Sequence, residues 1–178
     1  MGRSVVTSGP PLLQFCRVLV VEDSAIIAAK LSRVLRQAGA EVMGPVATVN
    51  SALGAIEAAG SIDAALLDVD LRGEPVYRVA ETLFARGVPF LFLTGYDPEI
   101  LSEPWCHWPV MQKPFASETI LSAVQALMIE AQPSHPTGAI RTVTPESRRL
   151  ANAINTTRNL IMERHILSDF TKESLPKS

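Results

Sequence analysis

The sequence contains few of the residues that form disulfides or transition-metal sites. Its two cysteines, Cys16 and Cys106, are far apart and match no metal-binding spacing, and the three histidines are equally scattered. This distribution argues against a metal centre built from histidine and cysteine. We expect both cysteines to be reduced thiols that pack as small hydrophobic side chains.

Long apolar segments are also missing. No stretch reaches the roughly 18 uninterrupted apolar residues that cross a bilayer, and residues 1–14 lack the apolar centre of a signal peptide. We therefore expect a cytoplasmic protein with no membrane partner. The hydrophobic fraction of 47% is nevertheless normal for a protein with a well-filled core.

The chain has no strong excess of charge of either sign. Its formal net charge is −2; residues 1–130 hold 9 Lys and Arg against 14 Asp and Glu, and residues 131–178 hold 7 against 4. A tail this weakly basic does not indicate nucleic-acid binding by itself. The uneven distribution does suggest that the two parts of the chain have different roles.

The first 130 residues alternate between two patterns. Short apolar runs predict buried strands, and the segments between them carry apolar residues at helical spacing. The runs are continuous, which is typical of parallel strands covered on both faces. The predicted strands comprise residues 17–21, 41–46, 64–69, 90–94 and 110–112. These repeats predict a doubly wound α/β domain.

Composition divides the chain into four parts. Residues 1–14 are predicted to be a flexible leader, residues 15–131 the α/β domain, and residues 132–144 a linker rich in Pro, Ser and Thr. Residues 145–171 are predicted to form one long amphipathic helix. That helix begins with a Thr cap followed by proline and an acidic residue, as helices often do.

Local signals mark some element boundaries inside the domain. Ser24 is placed to cap the first helix, and Pro75 is placed in the first turn of the third. The segment between Gly95 and Trp108 contains two prolines, which leave room for only a turn or two of helix. We expect that segment to be the softest part of the domain.

Polar side chains stand where four of the predicted strands end. Ligands of open α/β sheets bind beyond the carboxyl ends of the strands, so these side chains are candidates for one site. Each alone is a common strand-end residue, and it is their joint placement that indicates function. The candidates are Glu22, Asp23, Asp68, Asp70, Thr94 and Lys113.

Clustered carboxylates need a cation. Two unit charges 4 Å apart repel by roughly 4 kcal/mol at an effective dielectric constant near 20. A few hard oxygen ligands that leave room for water and phosphate oxygens favour Mg²⁺. The metal and a lysine would then lie on either side of a phosphoryl group, with one carboxylate as the in-line nucleophile. The pattern therefore predicts magnesium-dependent phosphoryl transfer through an acyl phosphate.

These motifs resemble those of response-regulator receiver domains in two-component systems. The resemblance covers roughly residues 15–130 and rests on RVLVVEDS at 17–24, LLDVDL at 66–71, TG at 94–95 and KPF at 113–115. It implies a flavodoxin-like (βα)5 parallel sheet of strand order 2-1-3-4-5, to which this chain adds its C-terminal amphipathic helix.

The resemblance also implies a role for each candidate residue. Asp68 would accept a phosphoryl group from a histidine kinase, and Thr94 and Lys113 would bind the phosphoryl oxygens. The implied Mg²⁺ ligands are the carboxylates of Glu22, Asp23 and Asp68 and the backbone carbonyl of Asp70. The chain would then be a self-phosphorylating switch that acts on a downstream protein, with no catalytic output domain of its own.

Residues 88–96 further resemble the FAT GUY subgroup of receivers, with Leu93 where that motif usually has Ala. Typical receivers place a switch aromatic three residues before the phosphate-binding lysine, and here that position is Val110. Tyr96 is a candidate substitute. We expect phosphorylation to reorganise the 94–115 region, which the next partner would bind.

Other functions remain as alternatives. Haloacid-dehalogenase phosphohydrolases share a DxD strand, a threonine and a lysine, but their acidic pair comes last rather than first. A DNA-binding output needs a compact tri-helical unit, whereas residues 131–178 offer one helix. That helix is compatible with dimerisation, with binding in a partner's groove, and with folding back on its own domain, and a homodimer could also form through the face of the receiver domain. Asp68 could also be a relay station that passes phosphate to another histidine.

Overall fold

The computed structural model describes residues 12–95, 101, 105 and 108–130. The predicted linker at 132–144 and helix at 145–171 lie outside the described residues, and so do Tyr96, Cys106 and the three histidines. Most of the segment predicted to be soft, between Gly95 and Trp108, also falls outside them. These predictions therefore stay predictions.

The described residues form one parallel sheet with helices on both faces. Its strands are β1 (Arg17–Val21), β2 (Glu41–Val46), β3 (Ala64–Asp68), β4 (Phe90–Thr94) and β5 (Val110–Gln112). The helices are α1 (Ala25–Gln37), α2 (Val49–Ala58), α3 (Tyr77–Ala85) and α4 (Ser117–Glu130). The strand order β2-β1-β3-β4-β5 confirms the predicted flavodoxin-like topology.

Alternate residues of the three central strands fill two hydrophobic cores. In β1, Val18 and Val20 face the core under α1 and α4, whereas Leu19 and Val21 face the core under α2 and α3. The same alternation continues in β3 and β4. Because both faces are covered, the buried residues of these strands are apolar up to the carboxyl end, where polar side chains begin.

The edge strand β2 contains an irregularity that affects the neighbouring strand end. Pairing with β1 shifts register between Leu19 and Val21, and Gly44 has a φ of +87°. A Cβ on Gly44 would lie 2.8 Å from the backbone nitrogen of Val46 and 2.9 Å from the carbonyl of Val20. Glycine is therefore required here by both conformation and space.

A short antiparallel ribbon after β3 was not predicted. Strand β3 ends at Asp68 rather than Val69, and Asp70–Leu71 then pairs with Glu74–Pro75. The prediction that Pro75 lies in the first turn of a helix is wrong, because α3 begins at Tyr77. Proline is tolerated in this two-stranded ribbon because each strand has an outer edge, where a missing backbone N–H breaks no hydrogen bond to another strand.

Two tryptophans anchor the chain between β4 and β5 to the core. The indole of Trp108 stacks on Phe90 with ring centroids 4.6 Å apart, and its Nε1 donates a hydrogen bond to the Phe90 carbonyl at 3.0 Å. Trp105 packs edge-on against Phe84 and Phe92. The far end of the segment after β4 is thus fixed by buried aromatic side chains.

Residues 12–15 form a turn across the predicted boundary between leader and domain. Leu13 is fully buried, and its backbone N–H donates to the carbonyl of Ala38 at 2.9 Å. Leu13, which lies in the predicted leader, is therefore packed against the domain. Among the described residues no helix is long and apolar enough to span a bilayer.

Candidate functional site

The parallel sheet brings the predicted carboxylates together at one edge. Glu22 and Asp23 follow β1, and Asp68 is the last residue of the adjacent β3. One carboxylate oxygen from each of the three lies within 4.8 Å of the others. Glu22 and Asp68 are buried, while Asp23 is half-buried.

Backbone hydrogen bonds hold Glu22 in this position. Its N–H donates to the carbonyl of Val46 at 2.9 Å, so the end of β2 supports the end of β1. Its Oε1 accepts from the backbone N–H of Ser24 at 3.1 Å. Ser24 is the N-cap residue of α1, but its side chain makes no capping bond, contrary to the prediction.

Lys113 follows β5 and reaches the carboxylates across the end of β4. Its backbone N–H donates to the Thr94 carbonyl at 2.7 Å, which ties it to the end of β4. Its Nζ donates to Asp68 Oδ2 at 2.7 Å. The same nitrogen lies 2.7 Å from Glu22 Oε2 as an ion pair without good hydrogen-bond geometry. One ammonium group is therefore shared between two buried carboxylates.

This arrangement shifts the pKa values of Glu22 and Lys113. Burial raises the pKa of the Glu22 carboxyl, and repulsion from Asp68 raises it further, against the lowering effect of Lys113. Burial alone would lower the pKa of Lys113, but its contacts with Asp68 and Glu22 outweigh burial and raise it. The lysine is therefore held in its charged form, and the carboxylates are not fully compensated.

The ribbon after β3 forms one wall of an open cleft above the carboxylates. Asp70 Oδ1 accepts a hydrogen bond from the backbone N–H of Gly73, which closes the turn. The cleft has a volume of about 510 Å³. Its lining residues include all four acidic candidates, together with Arg72, Gly95 and Lys113.

Arg72 is a cleft residue that sequence reasoning missed. Its Nε lies 3.9 Å from Asp23 Oδ2, and its φ is +59° in the turn of the ribbon. The sequence signal was available, since Arg72-Gly73 two residues after Asp70 is a turn signal. Its position beside the carboxylates depends on the ribbon, which was not predicted.

Thr94 ends β4 next to these groups. It is buried, with a relative exposure of 3%, and its carbonyl accepts the Lys113 backbone bond described above. The cleft is lined by Gly95, the residue that follows it. The structure thus brings all six predicted residues to the carboxyl ends of four strands.

The side chains present fit a magnesium ion. Glu22, Asp23 and Asp68 offer three hard oxygen donors at one point, open to the cleft. Such a set, with room for water and phosphate oxygens, is typical of Mg²⁺ rather than of softer metals. Glu22 Oε2 is buried without a hydrogen bond of good geometry, so this group would gain from a cation.

Two solved structures of SdrG share the fold of this chain over nearly all of their own length. SdrG from Sphingomonas melonis Fr1 is 41% identical, with a TM-score of 0.57 over 64% of this chain and 97% of SdrG. SdrG from Pseudomonas melonis Fr1 in its BeF3-activated conformation is 40% identical over 65% of this chain and 98% of SdrG, with a TM-score of 0.56.

Two further structures are similar at lower identity. The receiver domain of the response regulator PhyR from Erythrobacter litoralis is 26% identical, with a TM-score of 0.58 over 71% of this chain and 98% of that domain. TrrA from Thermotoga maritima, solved with Mg²⁺ and BeF, is 23% identical over 64% of this chain and 99% of TrrA, with a TM-score of 0.55. No protein-family model and no curated protein sequence matches the chain.

Proposed function

The chain belongs to the response-regulator receiver family, and on that premise we propose that it is a magnesium-dependent switch phosphorylated on Asp68 by a histidine kinase. The observation that carries this proposal is the contact of 2.7 Å between Lys113 Nζ and Asp68 Oδ2, beside the carboxylates of Glu22 and Asp23. A buried aspartate with a lysine on one side and acidic groups on the other is suited to hold a phosphoryl group.

The resemblance to receiver domains also implies roles for the remaining residues. Glu22, Asp23 and Asp68 would hold Mg²⁺ through their carboxylates, and Asp70 through its backbone carbonyl. When bound, the ion supplies charge neutralisation for the phosphoryl oxygens and for the acidic cluster. Thr94 and Lys113 would bind the phosphoryl oxygens that face the ends of β4 and β5.

The transfer step requires little of the protein beyond position and charge. An oxygen of the Asp68 carboxylate attacks the phosphorus of a phosphohistidine in line, and a P–O bond forms while the P–N bond breaks. The electron pair of that bond stays on the imidazole, which regains a proton. The product is an acyl phosphate on Asp68, whose oxygens take over the hydrogen bonds of Lys113.

Phosphorylation would switch the domain by redistributing those bonds. The Lys113 ammonium exchanges its contacts with the two carboxylates for contacts with the phosphoryl group. The Thr94 hydroxyl also gains a phosphoryl partner. A charge-assisted bond from Thr94 at roughly 1.5–3 kcal/mol, together with the difference between the old and new partners of Lys113, would supply part of the roughly 5.5 kcal/mol that moves a two-state equilibrium from mostly off to mostly on. The 94–115 region, attached to both residues, is what a downstream protein would bind.

The test is incubation with Mg²⁺ and acetyl phosphate or phosphoramidate, followed by intact mass measurement. The wild-type chain should gain one phosphoryl group, and Asp68→Asn should gain none. Asp63→Asn is the matched control and should be phosphorylated like wild type, because Asp63 lies away from the cleft and an asparagine oxygen can still accept the bond from the Arg17 backbone N–H. Chelation of Mg²⁺ should abolish the reaction.

Two results would contradict the proposal. Phosphorylation of Asp68→Asn at the wild-type level would mean that the acceptor is another residue. A wild-type chain that stays unmodified would contradict the proposed function itself. Amide hydrogen exchange on the same samples tests the switch. Unchanged exchange across residues 94–115 after phosphorylation would rule out that region as the responsive surface.

A further inference from the structure

Arg72 is a cleft cation for which the proposed chemistry has no role. Of the two basic residues that line the cleft, Lys113 is largely buried and is held by two carboxylates, whereas the side chain of Arg72 is 69% exposed. Its contact with Asp23 is 3.9 Å, too long for a hydrogen bond. The two basic residues therefore differ in how firmly they are held.

The backbone around Arg72 is fixed although its side chain is not. Leu71 pairs with Glu74 in the ribbon, the Asp70–Gly73 hydrogen bond closes the turn, and Arg72 is in the left-handed region with φ +59°. This conformation sets where the side chain leaves the backbone, next to Asp23 at the cleft. An exposed ion pair of this length contributes little free energy, so the guanidinium can exchange Asp23 for another partner at a small cost in free energy.

Charge balance indicates when that exchange would occur. Glu22, Asp23, Asp68 and Asp70 line the cleft with only Arg72 and Lys113 as described basic residues, which leaves two negative charges uncompensated. A divalent cation would balance this excess and would also engage Asp23. Arg72 would then lose its partner while a doubly charged phosphoryl group approaches the same cleft.

We propose that Arg72 is a phosphodonor-binding residue that neutralises Asp23 before the metal arrives and then contacts the phosphoryl oxygens of the incoming donor. This inference rests on the proposed phosphorylation of Asp68 and adds a residue to it. A guanidinium suits this role because its planar fork pairs with two phosphate oxygens at once, which the ammonium of Lys113 does not do.

The two parts of this role predict effects in opposite directions. Arg72→Ala should bind Mg²⁺ about twofold to fivefold more tightly, since Asp23 no longer has a competing partner. The same variant should be phosphorylated about tenfold more slowly, since the donor loses a charge-assisted bond. Both Arg and Ala carry a Cβ, so the cost of the left-handed backbone is unchanged.

Arg72→Lys separates charge from geometry. It should restore the wild-type Mg²⁺ affinity, because a positive charge again stands beside Asp23, but it should recover only part of the phosphorylation rate. Arg33→Ala, which removes an exposed arginine from α1, is the control for loss of one positive charge and should change neither quantity.

The experiment uses the full chain and two independent measurements. Mg²⁺ affinity is measured by thermal shift without any phosphodonor, and phosphorylation rates are measured by intact mass with acetyl phosphate and with phosphoramidate. Both donors should be affected equally, because the contact is made to the phosphoryl group that they share. A loss confined to acetyl phosphate would mean a contact with the leaving carboxylate and would overturn the proposal.

Other outcomes are equally decisive. If wild type is phosphorylated and Arg72→Ala reacts at the same rate, Arg72 has no role and the function of Asp68 stands. If Arg72→Ala weakens both Mg²⁺ binding and phosphorylation, the residue only supports the ribbon. If wild type is not phosphorylated at all, both proposals fail together.

Discussion

Asp23 differs from the other two carboxylates of the site in having no contact with Lys113 among the interactions described. Lys113 Nζ lies 2.7 Å from both Glu22 and Asp68, whereas Asp23 has a cation only at 3.9 Å, the exposed Arg72. Its negative charge therefore adds repulsion to the cluster, and little attraction to a cation offsets that repulsion. In the absence of a metal this residue should lower the stability of the fold.

Neutralising Asp23 should therefore stabilise the metal-free domain. Asp23→Asn keeps the shape of the side chain and should raise the free energy of unfolding by about 1 kcal/mol without Mg²⁺. The same variant should lose most of the stabilisation that wild type gains when Mg²⁺ is added. Chemical denaturation with and without Mg²⁺ measures both effects.

Asp63→Asn is the control for that experiment. Asp63 Oδ2 accepts a bond from the Arg17 backbone N–H at 2.7 Å, away from the cluster, and an asparagine oxygen can still accept it. This variant should neither gain stability nor lose the response to Mg²⁺. A metal-free Asp23→Asn variant that was less stable than wild type would show that the acidic cluster is not under electrostatic strain.

At the scale of elements, the irregular edge strand β2 supports the site indirectly. The register shift at Gly44 brings Val46 opposite Val21, and the Val46 carbonyl then accepts the backbone bond from Glu22. The end of β1 is thus positioned by the bulge in its neighbour. A change at Gly44 should act on the fold and on Glu22 together.

Gly44→Ala should be strongly destabilising. The added Cβ would meet the backbone atoms of Val46 and Val20 at under 3.0 Å, and the backbone there has φ +87°. We expect a loss of about 2–3 kcal/mol in the free energy of unfolding. Gly54→Ala is the matched control: Gly54 lies inside α2 with nothing within 4 Å of an added Cβ, so it should gain about 0.5–1 kcal/mol. Equal effects of the two substitutions would refute this explanation.

The accuracy of prediction from the sequence also depends on the kind of element. The buried strands were predicted within one residue, because continuous apolar runs and the need to cover both faces leave few alternatives. The ribbon at 70–75 was missed because its pairing depends on the backbone of Arg72 and Gly73, not on a hydrophobic pattern. Ser24 had the right residue type for a cap, but Glu22 accepts its backbone N–H instead.

The site was predictable for the same reason that the strands were. Once β1, β3, β4 and β5 are parallel neighbours, the residues at their carboxyl ends must meet at one edge of the sheet. What the sequence could not supply was the sharing of Lys113 between Asp68 and Glu22, or the presence of Arg72 at the cleft. Both depend on side-chain and turn geometry that only the folded chain defines.

At the scale of the whole molecule, the described residues already close a complete core. Helices α1 and α4 cover one face of the central strands, and α2 and α3 cover the other. SdrG, matched over 97% of its length by 64% of this chain, has about the extent of this domain. We therefore expect the sheet to stay buried without the residues beyond α4.

A chain that ends at Gln132 should accordingly keep both the fold and the proposed chemistry. We expect cooperative unfolding and an Asp68 phosphorylation rate within about twofold of the full chain, because both hydrophobic cores lie before that point. Intact mass after incubation with acetyl phosphate measures the rate, and Asp68→Asn in the shortened chain is its control. Sedimentation of both lengths shows whether the removed residues mediate self-association.

A different result would place the C-terminal residues in the domain itself. If the shortened chain unfolded without cooperativity or aggregated, the segment after α4 would be covering apolar surface that the full chain keeps from water. If it stayed folded but was phosphorylated much faster, the segment would restrain the cleft or the region that responds to phosphorylation. Because stability and rate are measured separately, these two roles can be distinguished in one series of samples.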